Sequence, residues 1–230
     1  MNPKHVFHTY HYLRHNARRM EHLSSLGLAL HNKSVLETGA GIGDHSHFFL
    51  DRKCQVTITE AREDNLRVLR ERYPDERVMA LDLESPTEGA IEPHEIVYCY
   101  GTLYHINDPV STLNYLADHC TQMLLLESCV SFGDADRVLT VPEPQENVSQ
   151  AFSGTGSRPT RQQVLQTLQA KFDYVYLPLT QPNHEEFPID WDHPEQHEAD
   201  LSRAIFIASR TELSNPLLTR QLLSQQTRHN

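Results

Sequence analysis

The stretch VLETGAGIGD, residues 35–44, decides the fold of this 230-residue chain. Its apolar start runs into Glu37, and glycines follow at positions 39, 41 and 43. A continuous apolar run that ends in glycine is typical of a strand that is buried on both faces and turns sharply into a helix. Because a side chain would block the close approach of backbone to a ligand, Gly39, Gly41 and Gly43 also predict a ligand-binding loop.

The loop departs from the dinucleotide-binding pattern GxGxxG, because it reads GxGxG and continues with Asp44. In the dinucleotide pattern the start of the helix faces a pyrophosphate. A carboxylate at that place would repel a pyrophosphate, whereas Glu37 and Asp44 suit a ligand with cationic sulfonium and ammonium groups. The loop therefore argues against NAD as the ligand.

Outward from this stretch, short apolar runs alternate with helical segments. Such alternation is typical of a parallel sheet that carries helices on both faces. The predicted strands are 34–39, 55–61, 77–83, 95–101, 122–130, 174–179 and 204–210, with helices at about 43–52, 62–73, 109–120 and 158–172. The fold class is therefore predicted as α/β, a doubly wound, mostly parallel seven-stranded sheet in a single domain over residues 1–230.

Three segments do not follow this alternation of strands and helices. Residues 1–31 have an amphipathic helical pattern and predict an N-terminal helical cap, and residues 131–157 form a long excursion without periodicity. Residues 180–203 are predicted to be a substrate lid, because a connection of this length in a compact domain is usually functional. The single tryptophan, Trp191, lies in this polar segment, which predicts that its ring stacks on a ligand such as a sugar.

Composition limits the partners and the compartment. The net charge of -11 opposes DNA and bulk RNA, because attraction to the phosphate backbone is missing. No stretch reaches the roughly 18 apolar residues of a membrane span. The four cysteines are widely spaced without a CxxC pair, which predicts free thiols and a cytoplasmic location. The oligomeric state stays open, a homodimer included.

Acidic residues end the second and third predicted strands as well as the first. Glu60, which lies 17 residues after Gly43, can accept hydrogen bonds from both hydroxyls of a ribose. Asp82 can accept the exocyclic amine of an adenine. Three acids at the ends of successive strands therefore predict a nucleoside site.

At these positions the sequence resembles the class I S-adenosylmethionine-dependent methyltransferases. The resemblance covers about residues 33–130 and includes the segment YCYGTLYHINDP, residues 98–109. It implies that the last strand of the sheet is antiparallel and that S-adenosylmethionine (SAM) binds at the carboxyl ends of the strands. The cofactor-binding residues that it implies are Glu37, Gly39, Gly41, Gly43, Glu60, Ala61, Asp82, Leu83, Tyr100 and Gly101.

The segment GTLYHINDP, residues 101–109, is similar to that of small-molecule and tRNA-wobble-modifying members of this superfamily. It lacks an Asn-Pro-Pro-Tyr type motif, which speaks against methylation of the amino group of adenine or glutamine and favours an oxygen acceptor. We therefore expect O-methylation of a hydroxyl on a small polar molecule such as a sugar or natural product. A tRNA-modifying enzyme and a non-catalytic cofactor-binding protein remain the alternatives.

Methyl transfer to an alcohol requires a group that removes the hydroxyl proton. His105, which the resemblance places at the reacting centre, is the first candidate base, and His184 in the predicted lid is the second. Glu127, near the end of the fifth strand, is predicted to orient a base or to hold a divalent ion together with Asp134. No spacing is diagnostic of a metal site, so Mg2+ stays open as an additional cofactor.

Three N-terminal histidines, His8, His11 and His15, recur at helical spacing. The favoured interpretation is a polar helix face or a cap over the cofactor site, and transition-metal binding is the alternative. Three arginines of the same segment either anchor a substrate carboxylate or phosphate or, as the favoured interpretation, pair with the acidic surface; they are Arg14, Arg18 and Arg19. Arg158 is predicted to start a helix near the mouth of the site.

Overall fold

The computed structural model describes residues 2–89, 91–133, 135 and 137–229. Its strands are β1 (Ser34–Glu37), β2 (Gln55–Glu60), β3 (Arg77–Ala80), β4 (His94–Tyr100), β5 (Cys120–Cys129), β6 (Val138–Pro142), β7 (Thr155–Pro159), β8 (Tyr174–Pro178), β9 (Thr180–Gln181), β10 (Arg203–Ser209), β11 (Leu218–Thr219) and β12 (Thr227–Arg228). Its α-helices are α1 (Pro3–Phe7), α2 (Tyr10–Ser25), α3 (Ser46–Leu50), α4 (Glu63–Arg72), α5 (Pro109–Asp118) and α6 (Arg161–Gln169). Short 3-10 turns lie at Leu103–His105 and Pro194–Gln196.

Eight strands form one sheet in the order β11-β8-β10-β5-β4-β1-β2-β3. Strand β1 pairs in parallel with β2 and β4, and the parallel pairing continues outward to β3 and β5. Strand β10 runs antiparallel to both of its neighbours, β5 and β8. The predicted α/β fold class is confirmed, since all seven predicted strands lie in the sheet and the last of them is antiparallel. The sheet has one strand more than predicted, the two-residue β11 at its edge.

The core consists of two layers, one on each face of the sheet. Val35 and Leu36 are neighbours in β1 and pack into different layers, because successive side chains of a strand point to opposite faces. Helices α5 and α6 supply apolar side chains to one layer, and α2, α3 and α4 supply them to the other. Each fully buried Leu or Phe in these layers contributes about 1.5–3 kcal/mol. Both faces are thus covered, as expected of a doubly wound sheet.

The helix after the glycine-rich loop is shorter than predicted. Helix α3 spans only Ser46–Leu50, and residues 41–45 form turns where the sequence predicted helix from 43. Gly41 and Gly43 have φ angles of 59° and 80°. A residue in the left-handed region cannot continue a right-handed helix, so the helix begins after them.

The excursion over 131–157 contains most of a hairpin made by β6 and β7. Arg158 lies in β7, and helix α6 begins at Arg161. The side chain of Thr160 accepts a hydrogen bond from the backbone N–H of Gln163, which is the usual role of a threonine at a helix N-cap. The prediction that Arg158 starts the helix was therefore wrong.

The segment over 180–203 packs into the protein instead of presenting its aromatic side chains to a ligand. Phe187 is fully buried, and Trp191 is 7% exposed. The Trp191 Nε1 donates a hydrogen bond of 2.9 Å to the Oε1 of Gln226, and the Arg161 guanidinium carbon lies 3.7 Å from the centre of the indole. The interpretation of Trp191 as a surface for stacking a sugar is wrong, because an arginine already stacks on its ring.

The tail after Leu213 contains two short strands, β11 and β12. Strand β12 pairs in parallel with β9, and Gln226 just before it is buried. The Gln226 Nε2 donates to the carbonyl oxygen of Pro178 at 2.7 Å, and its Oε1 also accepts from Gln181 at 3.0 Å. One amide side chain therefore joins the tail to β8, to β9 and to Trp191.

The N-terminal segment forms helices α1 and α2, as the amphipathic pattern predicted. Thr9 caps α2 by accepting a hydrogen bond from the backbone N–H of Tyr12. Leu23 and Leu26 are buried in the layer that faces this helix, whereas Leu13 is 49% exposed. Among the described residues, no helix is both long enough and apolar enough to cross a membrane.

Candidate active site

A cavity of about 370 Å3 opens at the carboxyl ends of the central parallel strands. Strand order reverses there, because the chain proceeds from β1 to β2 on one side and returns to β4 on the other. Ligands of open α/β sheets bind in the crevice at such a switch point. The cavity is lined by residues after β1, β2, β3 and β4, by helix α2 and by the segment over 148–152.

The glycine-rich loop forms one wall of the cavity. Gly39 and Gly41 line it, with φ angles of 61° and 59°, and the loop between them needs this left-handed backbone. Gly43 does not line the cavity. A Cβ atom at Gly43 would lie 2.5 Å from Tyr73 and 2.8 Å from Leu69, so this glycine allows close packing against α4.

Glu37 ends β1 at the floor of the loop and is 1% exposed. Its Oε2 accepts a hydrogen bond of 2.6 Å from the hydroxyl of Ser46. Burial raises the pKa of Glu37 to about 7, and the nearby Asp44 adds to the shift, while the bond from Ser46 opposes it. A cation at this place would favour the ionised carboxylate.

Glu60 ends β2 and ties the loop to this strand. Its Oε2 accepts from the backbone N–H of Gly41 at 2.8 Å, and its Oε1 accepts from the N–H groups of Ala61 and Arg62 at 2.9 Å each. Burial raises the pKa of Glu60, although these three bonds oppose the shift. Oε1 thus uses both of its lone pairs, whereas Oε2 accepts one bond and has a further lone pair for a ribose hydroxyl.

The remaining residues of the predicted cofactor set also line the cavity. They are Ala61, Asp82, Leu83, Tyr100 and Gly101. The Oδ1 of Asp82 accepts from the N–H of Glu84 at 3.0 Å, which fixes the carboxylate at the end of the strand. The hydroxyl of Tyr100 is buried and has no hydrogen-bond partner among the described residues. Gly43 is the one member of the predicted set that the structure places elsewhere.

His105 lines the same cavity, at the end of the 3-10 turn after β4. Its Nδ1 donates a hydrogen bond to the Oε2 of Glu143, because an ionised carboxylate can only accept. Burial lowers the pKa of His105 and outweighs the raising effect of Glu143. Burial also acts to raise the pKa of Glu143, but the bond from His105 and the N–H of Ala151 lower it overall. His105 is therefore a neutral imidazole whose Nε2 can accept a proton.

Glu127 does not reach the cavity and is fully buried between two arginines. Its Oε1 lies 3.0 Å from Nη1 of Arg203, and its Oε2 lies 2.6 Å from Nη2 of Arg19. Both arginines line the cavity, whereas Glu127 does not. Both carboxylate oxygens face arginines and no contact with a histidine is present among the described residues, so the structure does not support Glu127 in the predicted role of orienting a base. Asp134, its predicted partner for a divalent ion, lies outside the described residues.

His184 also stays behind the cavity wall. It is 2% exposed, and its Nδ1 accepts from the N–H of Glu186 at 3.3 Å. Burial lowers the pKa of His184 to about 4. Its ring lies against that of His15, with 4.7 Å between the centres, and only His15 lines the cavity. His184 cannot touch a substrate there, so it fails as the second candidate base.

The structure places the three N-terminal histidines at two different positions. His8 contacts Asp44, with 3.4 Å between its Nε2 and the carboxylate, while His11 and His15 line the cavity beside Glu186. The prediction that these side chains share one face thus holds for His11 and His15.

Several residues that line the cavity or contact its lining carried no recognisable signal in the sequence. Glu143 follows β6 within the excursion that has no periodicity, and Phe152 lies in the same segment. Arg203 starts the last long strand, but nothing in its surroundings marks it as a ligand-facing residue. Burial of an arginine next to two carboxylates becomes visible only in three dimensions.

Comparisons with known proteins agree with this architecture. No protein-family model and no curated protein matches the sequence. Among solved structures, the N-terminal domain of EvdMO1 in the presence of S-adenosylhomocysteine (SAH) and D-fucose is similar at a TM-score of 0.64 and 18% identity, over 84% of this chain and 82% of that one. The glycopeptide N-methyltransferase MtfA is similar at a TM-score of 0.53 and 15% identity, over 85% and 90% of the two chains.

A third similar structure is the magnesium protoporphyrin IX methyltransferase of Synechocystis PCC 6803 with bound SAM. Its TM-score is 0.55 at 13% identity, over 87% of this chain and 81% of that one. Similarity at these identities establishes the fold. The chain therefore has the fold that the sequence resemblance implied.

Proposed function

We propose that this protein, which has the class I methyltransferase fold, transfers the methyl group of SAM to a hydroxyl of a small polar molecule. The observation that carries this proposal is the neutral His105, oriented by Glu143, in the cavity that the glycine-rich loop also lines. A base and a cofactor loop in one cavity are what methyl transfer to an alcohol requires.

The residues of the loop fit SAM by charge and by shape. Gly39 and Gly41 let the backbone approach the ligand. The Oε2 of Glu60 offers a lone pair to a ribose hydroxyl, and the carboxylate of Asp82 offers one to the adenine amine. The carboxylate of Glu37, whose pKa burial raises to about 7, is poised to ionise next to a cation.

When bound, SAM supplies the methyl carbon, and its sulfur keeps the electron pair of the broken bond to leave as SAH. The Nε2 of His105 accepts the proton of the attacking hydroxyl, while Glu143 holds the Nδ1 proton and stabilises the imidazolium that forms. Such a positioned base contributes about 10²–10⁴-fold. The walls of the cavity hold the acceptor oxygen in line with the breaking bond.

The cavity wall near His105 suits a sugar-like acceptor. Arg19, Arg158 and Arg203 line the cavity. Arg158 also donates a hydrogen bond of 2.9 Å to the carbonyl oxygen of Tyr104. A wall rich in hydrogen-bond donors suits an acceptor with several hydroxyl groups. The similar EvdMO1 domain was crystallised in the presence of SAH and D-fucose, which supports a saccharide as the acceptor class.

The two alternative functions predict different experimental results. A tRNA-modifying enzyme needs a basic surface, and the net charge of -11 opposes it. A non-catalytic cofactor-binding protein would bind SAM and SAH and show no turnover with any acceptor.

Isothermal titration tests the cofactor class first. We expect micromolar binding of SAM and SAH, and none of NAD. An SAH-release assay over reducing sugars, sugar nucleotides and glycosylated natural products then tests the acceptor. Absence of SAM binding would overturn the proposal, and methylation of a nitrogen atom in the product would overturn its O-methyl part.

A further inference from the structure

Two histidines and one glutamate converge beside the cavity in an arrangement that the methyl-transfer proposal does not use. One ring nitrogen each of His11 and His15 and one carboxylate oxygen of Glu186 lie within 4.8 Å of one another. The Nε2 of His11 is 3.4 Å from Oε1 of Glu186, and the Nε2 of His15 is 3.9 Å from Oε2. Ligand atoms that sit about 2.1 Å from one tetrahedral ion are about 3.4 Å apart.

Local structure explains why these side chains meet. His11 and His15 are four residues apart on helix α2, so they lie one above the other on the same face. Glu186 comes from the segment before β10 and is held by Arg203, which donates from Nε to Oε2 at 2.5 Å and from its backbone N–H to the Glu186 carbonyl at 2.8 Å. Hydrogen bonds of this kind orient metal-binding carboxylates.

An unsatisfied polar atom points to a missing ligand. The side chain of His15 is 2% exposed, yet its Nε2 has no hydrogen-bond partner among the described residues. A buried polar atom without a partner costs about 1–3 kcal/mol. An ion bound between His11, His15 and Glu186 would remove this cost.

We propose that His11, His15 and Glu186 form a binding site for a divalent transition-metal ion of the zinc type. Two imidazole nitrogens and one carboxylate oxygen suit zinc, whereas Mg2+ prefers oxygen ligands alone. Glu127 pairs with both Arg19 and Arg203 and offsets one of their two positive charges. Glu186 pairs with Arg203 through Oε2, and its Oε1 is directed at His11. This site differs from the one predicted at Glu127 and Asp134.

Three protein ligands leave one coordination position for a further group. Since His11 and His15 line the cavity, that position is on the cavity side. An ion there would bind an acceptor oxygen and make its hydroxyl easier to deprotonate. This role rests on the proposed function, whereas binding of the ion does not.

Metal titration of the full chain, prepared without a histidine tag and stripped with a chelator, tests the site in the absence of SAM and acceptor. We expect one Zn2+ per chain by equilibrium dialysis, visible absorption bands of a nitrogen-bound ion with Co2+, and no displacement by excess Mg2+. Loss of an outer-shell partner of a metal ligand costs about 10–100-fold in affinity, so His15→Ala and His11→Ala should each cost about 100-fold or more.

The matched control is His5→Ala, because His5 is an exposed histidine of the preceding helix. The circular dichroism spectrum reports whether each variant is folded. His11 is half-exposed, so its replacement keeps the test valid even if a change at buried His15 unfolds the chain. Zinc binding that is absent, or that persists in a folded His11→Ala variant, would overturn the proposal. Zinc binding without any methyl transfer would overturn only the proposed function.

Discussion

His105 donates the hydrogen on its Nδ1 to Glu143, a residue 38 positions later in the chain. The bond fixes both the tautomer and the direction of the imidazole ring, so that its other nitrogen is the one that can accept a proton. The hairpin of β6 and β7 makes this contact possible, because Glu143 follows β6 directly and Arg158 in β7 lies 3.4 Å from its other oxygen.

Replacement of His105 by alanine should leave cofactor affinity nearly unchanged and lower turnover about 100-fold or more, because only the transfer of the proton is lost. Calorimetry with SAH measures the first quantity, and the rate of SAH release measures the second. The matched control is His5→Ala. A turnover equal to that of the unchanged protein would remove His105 from the role of base.

Replacement of Glu143 by glutamine should move the pH dependence of turnover. His105 is active as a base only when neutral, so the rate falls as pH falls through its pKa. Burial lowers that pKa and Glu143 raises it, so loss of the carboxylate should shift the acidic limb to lower pH. Turnover on the plateau should also fall, since the ring loses its orientation. If the acidic limb of the plot of kcat against pH does not move, the pairing of His105 with Glu143 is contradicted.

Replacement of Gly41 by valine should abolish SAH binding in calorimetry. Its Cβ would lie 3.0 Å from the ring of Phe7, and its φ of 59° is unfavourable for a side chain. The control is Gly27→Val, because Gly27 has a φ of 61° and a Cβ added there would meet no atom within 4 Å. Both variants carry the left-handed strain, about 1–2 kcal/mol, and only the first alters the cavity wall. Equal affinities in the two variants would show that Gly41 does not border the cofactor.

Glu37 should make the protein less stable as pH rises. Its pKa in the folded state, about 7, lies above its ordinary value of 4.5, so the folded state binds more protons between these values. The free energy of unfolding should therefore decrease from pH 4.5 to about 7 through this group and level off above that. Denaturant unfolding over this pH range, compared with Glu37→Gln, isolates the contribution. An identical pH slope in the two proteins would contradict the raised pKa.

The fluorescence of Trp191 should not respond to acceptors. It is the only tryptophan, it is 7% exposed, and Arg161 stacks on its ring, so its emission should be that of a buried indole with or without sugar. Emission spectra taken during an acceptor titration give the result. A large change on addition of a sugar would return Trp191 to the acceptor site.

The sequence predicted the sheet and the cofactor side of the cavity because both follow from local patterns. The apolar runs around Leu36 and Val97 must be buried on two faces, and glycine at 39 and 41 has few uses other than a tight loop. Gly43 has the same local signature and a different role, since the residues that it packs against, Tyr73 and Leu69, lie on or just after a later helix.

The acceptor side depends on contacts between distant segments, which no local pattern encodes. Glu127 and His184 are residue types that carry out catalysis, but burial behind Arg203 and His15 removes both from the cavity. The prediction that Trp191 stacks on a sugar was wrong for the same reason, because a polar sequence around an indole does not reveal that Arg161 covers it.

The side chain of Gln226 has a consequence for synthesis on the ribosome. Its amide is the hydrogen-bond partner of the Trp191 indole and of the Pro178 carbonyl, and both groups belong to segments made much earlier. Until residue 226 has left the exit tunnel, these two buried groups lack that partner. A nascent chain should therefore complete its fold only once this residue has emerged, and chains that stop before Gln226 should be substrates for quality-control proteases.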